Sequence, residues 1–307
     1  WLQLVILLFV CRSFNLFTAT LHDVGEEYGL IHMIAFLVAG IFQLLMVLPA
    51  WGLMKLTGRG LGEAASYTMG KPGVWFSILG TVYLLVTTSL TVYSMANFLV
   101  NAAFPDAEAV FFVVTLVLAA GYAASLGIEG IARAALIFCT ALIIGLILVL
   151  IGVAGRIDII NVRPIVDEHP IQSVIRDAWI ITGRSSPVFL YVMLASRTRN
   201  GAGKGFIWYL AATLVLQELV TFLIATVLGD LASEQAFPLF SLTTIARVSV
   251  FQRMDAVYLG LWVTVCFLRV AVSFRACKEL LAPFLPEGKT SMRRKWILPF
   301  LMIAVAC

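Results

Sequence analysis

Nine stretches of this chain are almost free of charge: about residues 1–19, 30–54, 74–101, 109–127, 133–154, 174–196, 206–229, 255–281 and 296–307. Most reach the ~20 residues that an α-helix needs to cross a ~30 Å hydrocarbon core. The runs are continuous and do not alternate polar with apolar residues, which excludes a transmembrane barrel. Only 12% of the residues are charged and 61% are hydrophobic, about half the charge supply of a soluble domain. The expected fold class is therefore an all-α integral membrane bundle of about nine transmembrane helices, with the lipid bilayer as its solvent.

The charges lie between the runs and sort by side. If the first segment runs outward from the cytoplasm, the inner loops and helix ends hold Lys55, Arg59, Lys71, Arg133, Arg197, Arg199, Lys204, Arg275, Lys278 and the 289–295 cluster. The acidic residues fall mostly on the other side, among them Asp23, Glu26, Glu27, Asp106, Asp158 and Asp230. This asymmetry predicts a multi-pass protein with a cytoplasmic N-terminus. It also accounts for the net charge of +4 and the pI near 8.9 without a nucleic-acid partner. Cys11, Cys139, Cys266, Cys277 and Cys307 all lie in or at apolar runs without paired spacing, and read as small buried hydrophobes. Trp1 and Cys307 both fall inside apolar runs, so both ends read as cut, and no cleavable signal peptide is visible.

Three connections exceed simple turns. Residues 55–73, rich in glycine and closed by Lys71-Pro72-Gly73, predict a short interfacial helix. Residues 155–173 form an outer loop with Pro164 and Pro170. Residues 230–254, with Phe237-Pro238, predict a short outer helix lying on the bundle as a cover.

Four charges remain inside spans: Arg12, Arg184, Glu218 and Arg269. Such residues should face the bundle interior and have partners. Glu218 and Arg269 can pair for structure, or serve ion or proton coupling. Cys11-Arg12-Ser13 in the first segment is echoed by Gly183-Arg184-Ser185-Ser186-Pro187 in the sixth. These segments open the two halves of a five-plus-five repeat, about 1–154 and 174–307 within one domain, 1–307. Interrupted helices at matching positions of two halves point to a midplane site. Backbone donors there, with Arg12 and Arg184, would hold a carboxylate. The alternatives are a chance echo, a mere kink at Pro187 and a snorkelling Arg12. In the third segment Thr87 and Thr91 lie on a polar stripe with Tyr83, Ser94 and Asn97, which can line a cavity or bond neighbouring helices. Trp179 can cover a ligand or anchor at the interface. No phosphate loop, metal spacing or catalytic set is present, so neither an enzyme nor a cofactor is expected.

Phe237-Pro238, followed by Phe251-Gln252-Arg253-Met254-Asp255 and Trp262, resembles the spore germination permease family. So do Glu63 with Met69-Gly70-Lys71 and Gly73, and Asn161 with Pro164. The resemblance runs from about residue 30 to residue 281. It implies a member of the amino acid–polyamine–organocation superfamily with a leucine-transporter-like inverted-repeat bundle, and a tenth helix beyond Cys307. It implies a B subunit of a germinant receptor in the spore inner membrane, working with A and C subunits. Such a subunit senses a small germinant, often an amino acid, and triggers ion release. Arg12 and Arg184 depart from the family pattern, which favours a carboxylate-bearing ligand. The runner-up reading is a proton- or sodium-coupled amino acid transporter, with Glu218 as proton carrier. A third is a purely structural membrane subunit.

Overall fold

The computed structural model describes residues 1–17, 30–57, 60–162, 170–196, 198, 202–229, 231–235, 237–246 and 255–281. Among them the chain is helical throughout, without a strand. The helices are α1 (Leu2–Phe17), α2 (Leu30–Thr57), α3 (Leu61–Met69), α4 (Lys71–Phe98), α5 (Ala109–Leu126), α6 (Ile128–Val153), α7 (Pro170–Gly183), α8 (Ser186–Ala195), α9 (Ala202–Leu228), α10 (Leu231–Glu234), α11 (Pro238–Ile245) and α12 (Asp255–Leu281). A π turn, Leu99–Ala103, prolongs α4, and two 3₁₀ turns, Ala154–Arg156 and Ile159–Asn161, follow α6.

Six of these helices, α2, α4 with its π turn, α5, α6, α9 and α12, are long and apolar enough to cross a membrane. The bent pair α7–α8 makes a seventh if counted as one span. The protein is thus a multi-pass membrane protein. α1 is apolar but shorter, at 16 residues. The ninth expected segment, 296–307, lies outside the described residues.

Burial separates central from peripheral helices. α1 is apolar on nearly every side and buried on nearly every side, as a helix at the centre of a bundle must be. It packs against α6, α9, α12 and α8. α12 is the second central helix, packing against α4, α5, α1, α6 and α8. By contrast Leu37, Ile41, Leu44, Leu45 and Leu48 of α2, and Ile137, Ile143, Ile144, Ile147 and Ile151 of α6, are exposed. Exposed aliphatic faces of this size are favourable only against lipid.

The short helix expected in 55–73 is α3. Gly70, at φ 61°, makes the abrupt turn into α4, and Pro72 stands in the first turn of α4, where its missing N–H is harmless. A Cβ on Gly73 would lie 2.5 Å from Ala65 O, so the α3–α4 corner closes only around glycine. At the opposite end α11 begins at Phe237-Pro238. Phe237 and Phe240 join Phe17, Phe98, Tyr258 and Trp262 in one aromatic cluster, with ring centroids 3.9–6.3 Å apart. Tyr258 also donates to Phe17 O at 3.2 Å, tying α12 to the end of α1. Residues 237–245 therefore cover the bundle on this side, as expected. Residues 247–254, including Arg253, lie outside the described residues, as do Pro164 and Cys307.

Candidate ligand site at the broken helix

The sixth span breaks as its sequence requires. α7 and α8 meet at 49° across Arg184-Ser185. Gly183 weakens the end of α7, and Pro187 has no N–H to give to the carbonyl four residues earlier, that of Gly183. That carbonyl accepts instead from Tyr83 Oη of α4, at 3.3 Å. Ser185 Oγ donates to Ile181 O at 2.6 Å and accepts from Gln43 Nε2 of α2 at 3.0 Å. Thr182 Oγ1 donates to Ala178 O at 2.8 Å. The break is thus held open by named partners on α2 and α4.

Beside it lies a cavity of about 340 Å³, lined by Gln43, Met46, Val47, Ala50, Leu61, Phe76, Tyr83, Thr182, Gly183, Ser185, Val188, Phe189 and Val192. The volume falls in the ~300–1,000 Å³ range of small-molecule pockets, and the wall is apolar with a few convergent polar groups. A second cavity, between α1, α6, α9, α11 and α12, holds only about 50 Å³ and is lined almost wholly by apolar side chains. It is far below the ~300 Å³ at which small-molecule pockets begin.

The first span does not match the sixth. The expected interruption at Cys11-Arg12-Ser13 is overturned: α1 runs unbroken from Leu2 to Phe17. The segment has no Gly or Pro, and Ser13 Oγ turns back to Phe9 O at 3.0 Å, inside its own helix. Arg184 is a second correction. It occupies the turn, its N–H on Ile180 O at 3.1 Å, and its side chain is exposed, as is Gly183. Hence Arg12 and Arg184 do not converge.

Among the described residues the other buried arginine is Arg269. Its Nη1 donates to Asn15 Oδ1 at 2.9 Å, its Nη2 to Ser186 Oγ at 2.8 Å, and its Cζ lies 4.7 Å from the centre of the Phe14 ring. It therefore joins α12, α1 and the start of α8, and does not pair with Glu218 as the structural alternative supposed. Glu218 Oε1 is buried without a hydrogen bond among the described residues. Arg12 is 2% exposed, and its Nε and Nη1 make no hydrogen bond there either. Tyr83 and Tyr209 lie within electrostatic reach of Arg12, and Cys11, Cys266, Tyr83 and Arg12 within reach of Arg269. Neither Arg12 nor Arg269 forms an ion pair with a described residue. An unpaired charge at mid-membrane costs about 2.5–3.5 kcal/mol on insertion scales.

The remaining expected residues are dispersed. Thr87 and Thr91 hydroxyls bond Tyr83 O and Thr87 O of their own helix, both at 2.9 Å, and do not line the cavity. Cys11 is buried within electrostatic reach of Arg269. Trp179 is 67% exposed against Phe42, on the outside of the bundle. Sequence reasoning missed Gln43, Asn15 and Tyr209. Gln43 and Asn15 each carried a signal, as amides inside long apolar runs. The described residues hold no cluster of His, Cys, Asp or Glu able to bind a metal.

A family profile described as spore germination protein matches residues 28–306, nearly the whole chain. No curated protein matches it.

Proposed function

The chain belongs to the spore germination protein family, and from that premise we propose that it is the membrane subunit of a germinant receptor. A small germinant, such as an amino acid, docks at the broken span, and the bundle shifts between two states read by A and C subunits. In this reading the N-terminus is cytoplasmic, the membrane is the spore inner membrane, and residues 1–154 and 174–307 are inverted repeats. The observation that carries it is the α7–α8 break at the wall of the 340 Å³ cavity. A helix broken inside a membrane exposes backbone groups that only a cavity or a ligand can use.

The test is calorimetric titration of amino acids, nucleosides and sugars into the full chain in nanodiscs, alone and with A and C subunits. Saturable binding, lost when Ala50→Trp fills the cavity, is expected. Absence of binding by every candidate, with partners present, overturns the reading. One observation favours a second reading. Glu218 places a carboxyl oxygen in the span without a hydrogen bond among the described residues, which suits a proton carrier in a coupled transporter. Concentrative uptake into proteoliposomes, abolished in Glu218→Gln, would establish transport.

A further inference from the structure

We infer that Arg12 and Arg269 take the carboxylate of a ligand with net negative charge, so that the site prefers an acidic amino acid or a dicarboxylate to a neutral zwitterion. This deepens the reading above and rests on it.

Three observations carry the inference. The first is charge: two guanidinium groups are 2% and 4% exposed, and neither forms an ion pair with a described residue. The other ionisable side chains near them are phenols and thiols, which are neutral at pH 7. The second is geometry. Arg269 sits at the first residue of α8 through Ser186, where the helix dipole is positive and a cation is disfavoured. The dipole thus adds to the positive potential. The third is donor capacity. Among the described residues Arg12 keeps Nε and Nη1 without an acceptor, so it retains charge-assisted donors that an anion can use.

Neither arginine lines the cavity, whose wall reaches the start of α8. Tyr83 lines it and lies within electrostatic reach of both guanidinium groups. Ser185 lines it too, and the next residue, Ser186, bonds Arg269. A ligand body among Val188, Phe189 and Phe76 would therefore present its anionic end past Tyr83.

Calorimetric titration of the full chain in nanodiscs, with L-glutamate, glutarate and L-alanine in chloride-free buffer and again with added chloride, tests this. The expected result is binding of L-glutamate or glutarate at least about tenfold tighter than L-alanine. A loss of about 10- to 100-fold in Arg12→Gln should follow, the size of a lost charge-assisted bond. Arg12→Met serves as a control that needs no ligand. Replacing an unpaired buried cation by an apolar chain of similar length should raise the Tm of the ligand-free protein. A lower Tm would mean that Arg12 has a structural partner, and the inference falls. It falls also if L-alanine binds as tightly as L-glutamate, or if Arg12→Gln leaves binding unchanged. Chloride binding lost in Arg12→Gln, with no carboxylate competing, overturns it likewise. Binding of L-alanine alone sinks the anion preference and leaves the receptor reading standing, whereas binding of nothing removes both.

Discussion

The first and sixth spans share an Arg-Ser pair at mid-membrane, yet α1 runs straight through its pair and α7–α8 turns by 49° at the other. The difference lies in the flanking residues. Backbone hydrogen bonds, not side-chain charge, hold a helix together inside lipid, and only Gly183 and Pro187 remove or weaken them. An arginine in a continuous helix keeps its direction fixed by the helix face, so Arg12 points into the core. An arginine in a turn is freed from that face, and Arg184 leaves for the surface. The second buried arginine, Arg269, comes instead from the middle of α12. Breaking a span and burying a charge are therefore separate tasks, and in this fold different helices perform them.

The comparison is broken most severely at Arg269, the group that joins the straight helix to the bent one. Arg269→Ala removes two charge-assisted hydrogen bonds and leaves buried space, so we expect a loss of about 3–5 kcal/mol. A large fall in the midpoint of thermal unfolding of the detergent-solubilised protein checks it. A loss as small as that of an ordinary surface change would show that α1 and α8 are held by apolar packing alone. Pro187→Ala comes next. It returns an N–H to the helix and removes a residue about 3 kcal/mol unfavourable within one. α7 and α8 should then straighten, and Gly183 O should exchange the Tyr83 hydroxyl for the backbone N–H regained four residues on. Spin labels on α7 and α8 should report a longer end-to-end distance than in the parent.

How much of this was legible follows from the range of each signal. The spans were legible because a run of some 20 apolar residues is decided locally, and α12 spans Asp255–Leu281, the bounds its apolar run predicts. The break was legible because glycine and proline act on their own backbone. The false break in α1 came from treating Arg-Ser as though it carried the same backbone signal. The partner of Arg269 was not legible at all. Glu218 is the only acid of comparable depth, and sign alone suggested it. Which helices touch is set by packing across more than 250 positions of sequence separation, as in Arg269–Asn15 with its separation of 254. Gln43 illustrates the same limit: its partner Ser185 lies 142 residues away.

The two serines of the echo sharpen the contrast at smaller energies. Ser185 receives Gln43 Nε2 from another helix, and Gln43 is only 4% exposed. Ser185→Ala should leave that amide donor buried without its acceptor, at a cost of about 1–3 kcal/mol. Ser13 has the same residue type, a similar depth and 1% exposure, but its hydroxyl returns to Phe9 O one turn back. That carbonyl also stands four residues before Ser13 in an intact helix, so it keeps its backbone donor when the hydroxyl is removed. Bonds of this kind add little and compete with the helix ladder. Ser13→Ala should therefore change stability by no more than about 0.5 kcal/mol, and alanine's better helix propensity offsets part of that. Thermal unfolding of the two single variants side by side decides the matter. Equal losses would mean that the first span has a tertiary role at Ser13 like that of the sixth at Ser185, and the contrast between straight and broken helix would have to be redrawn.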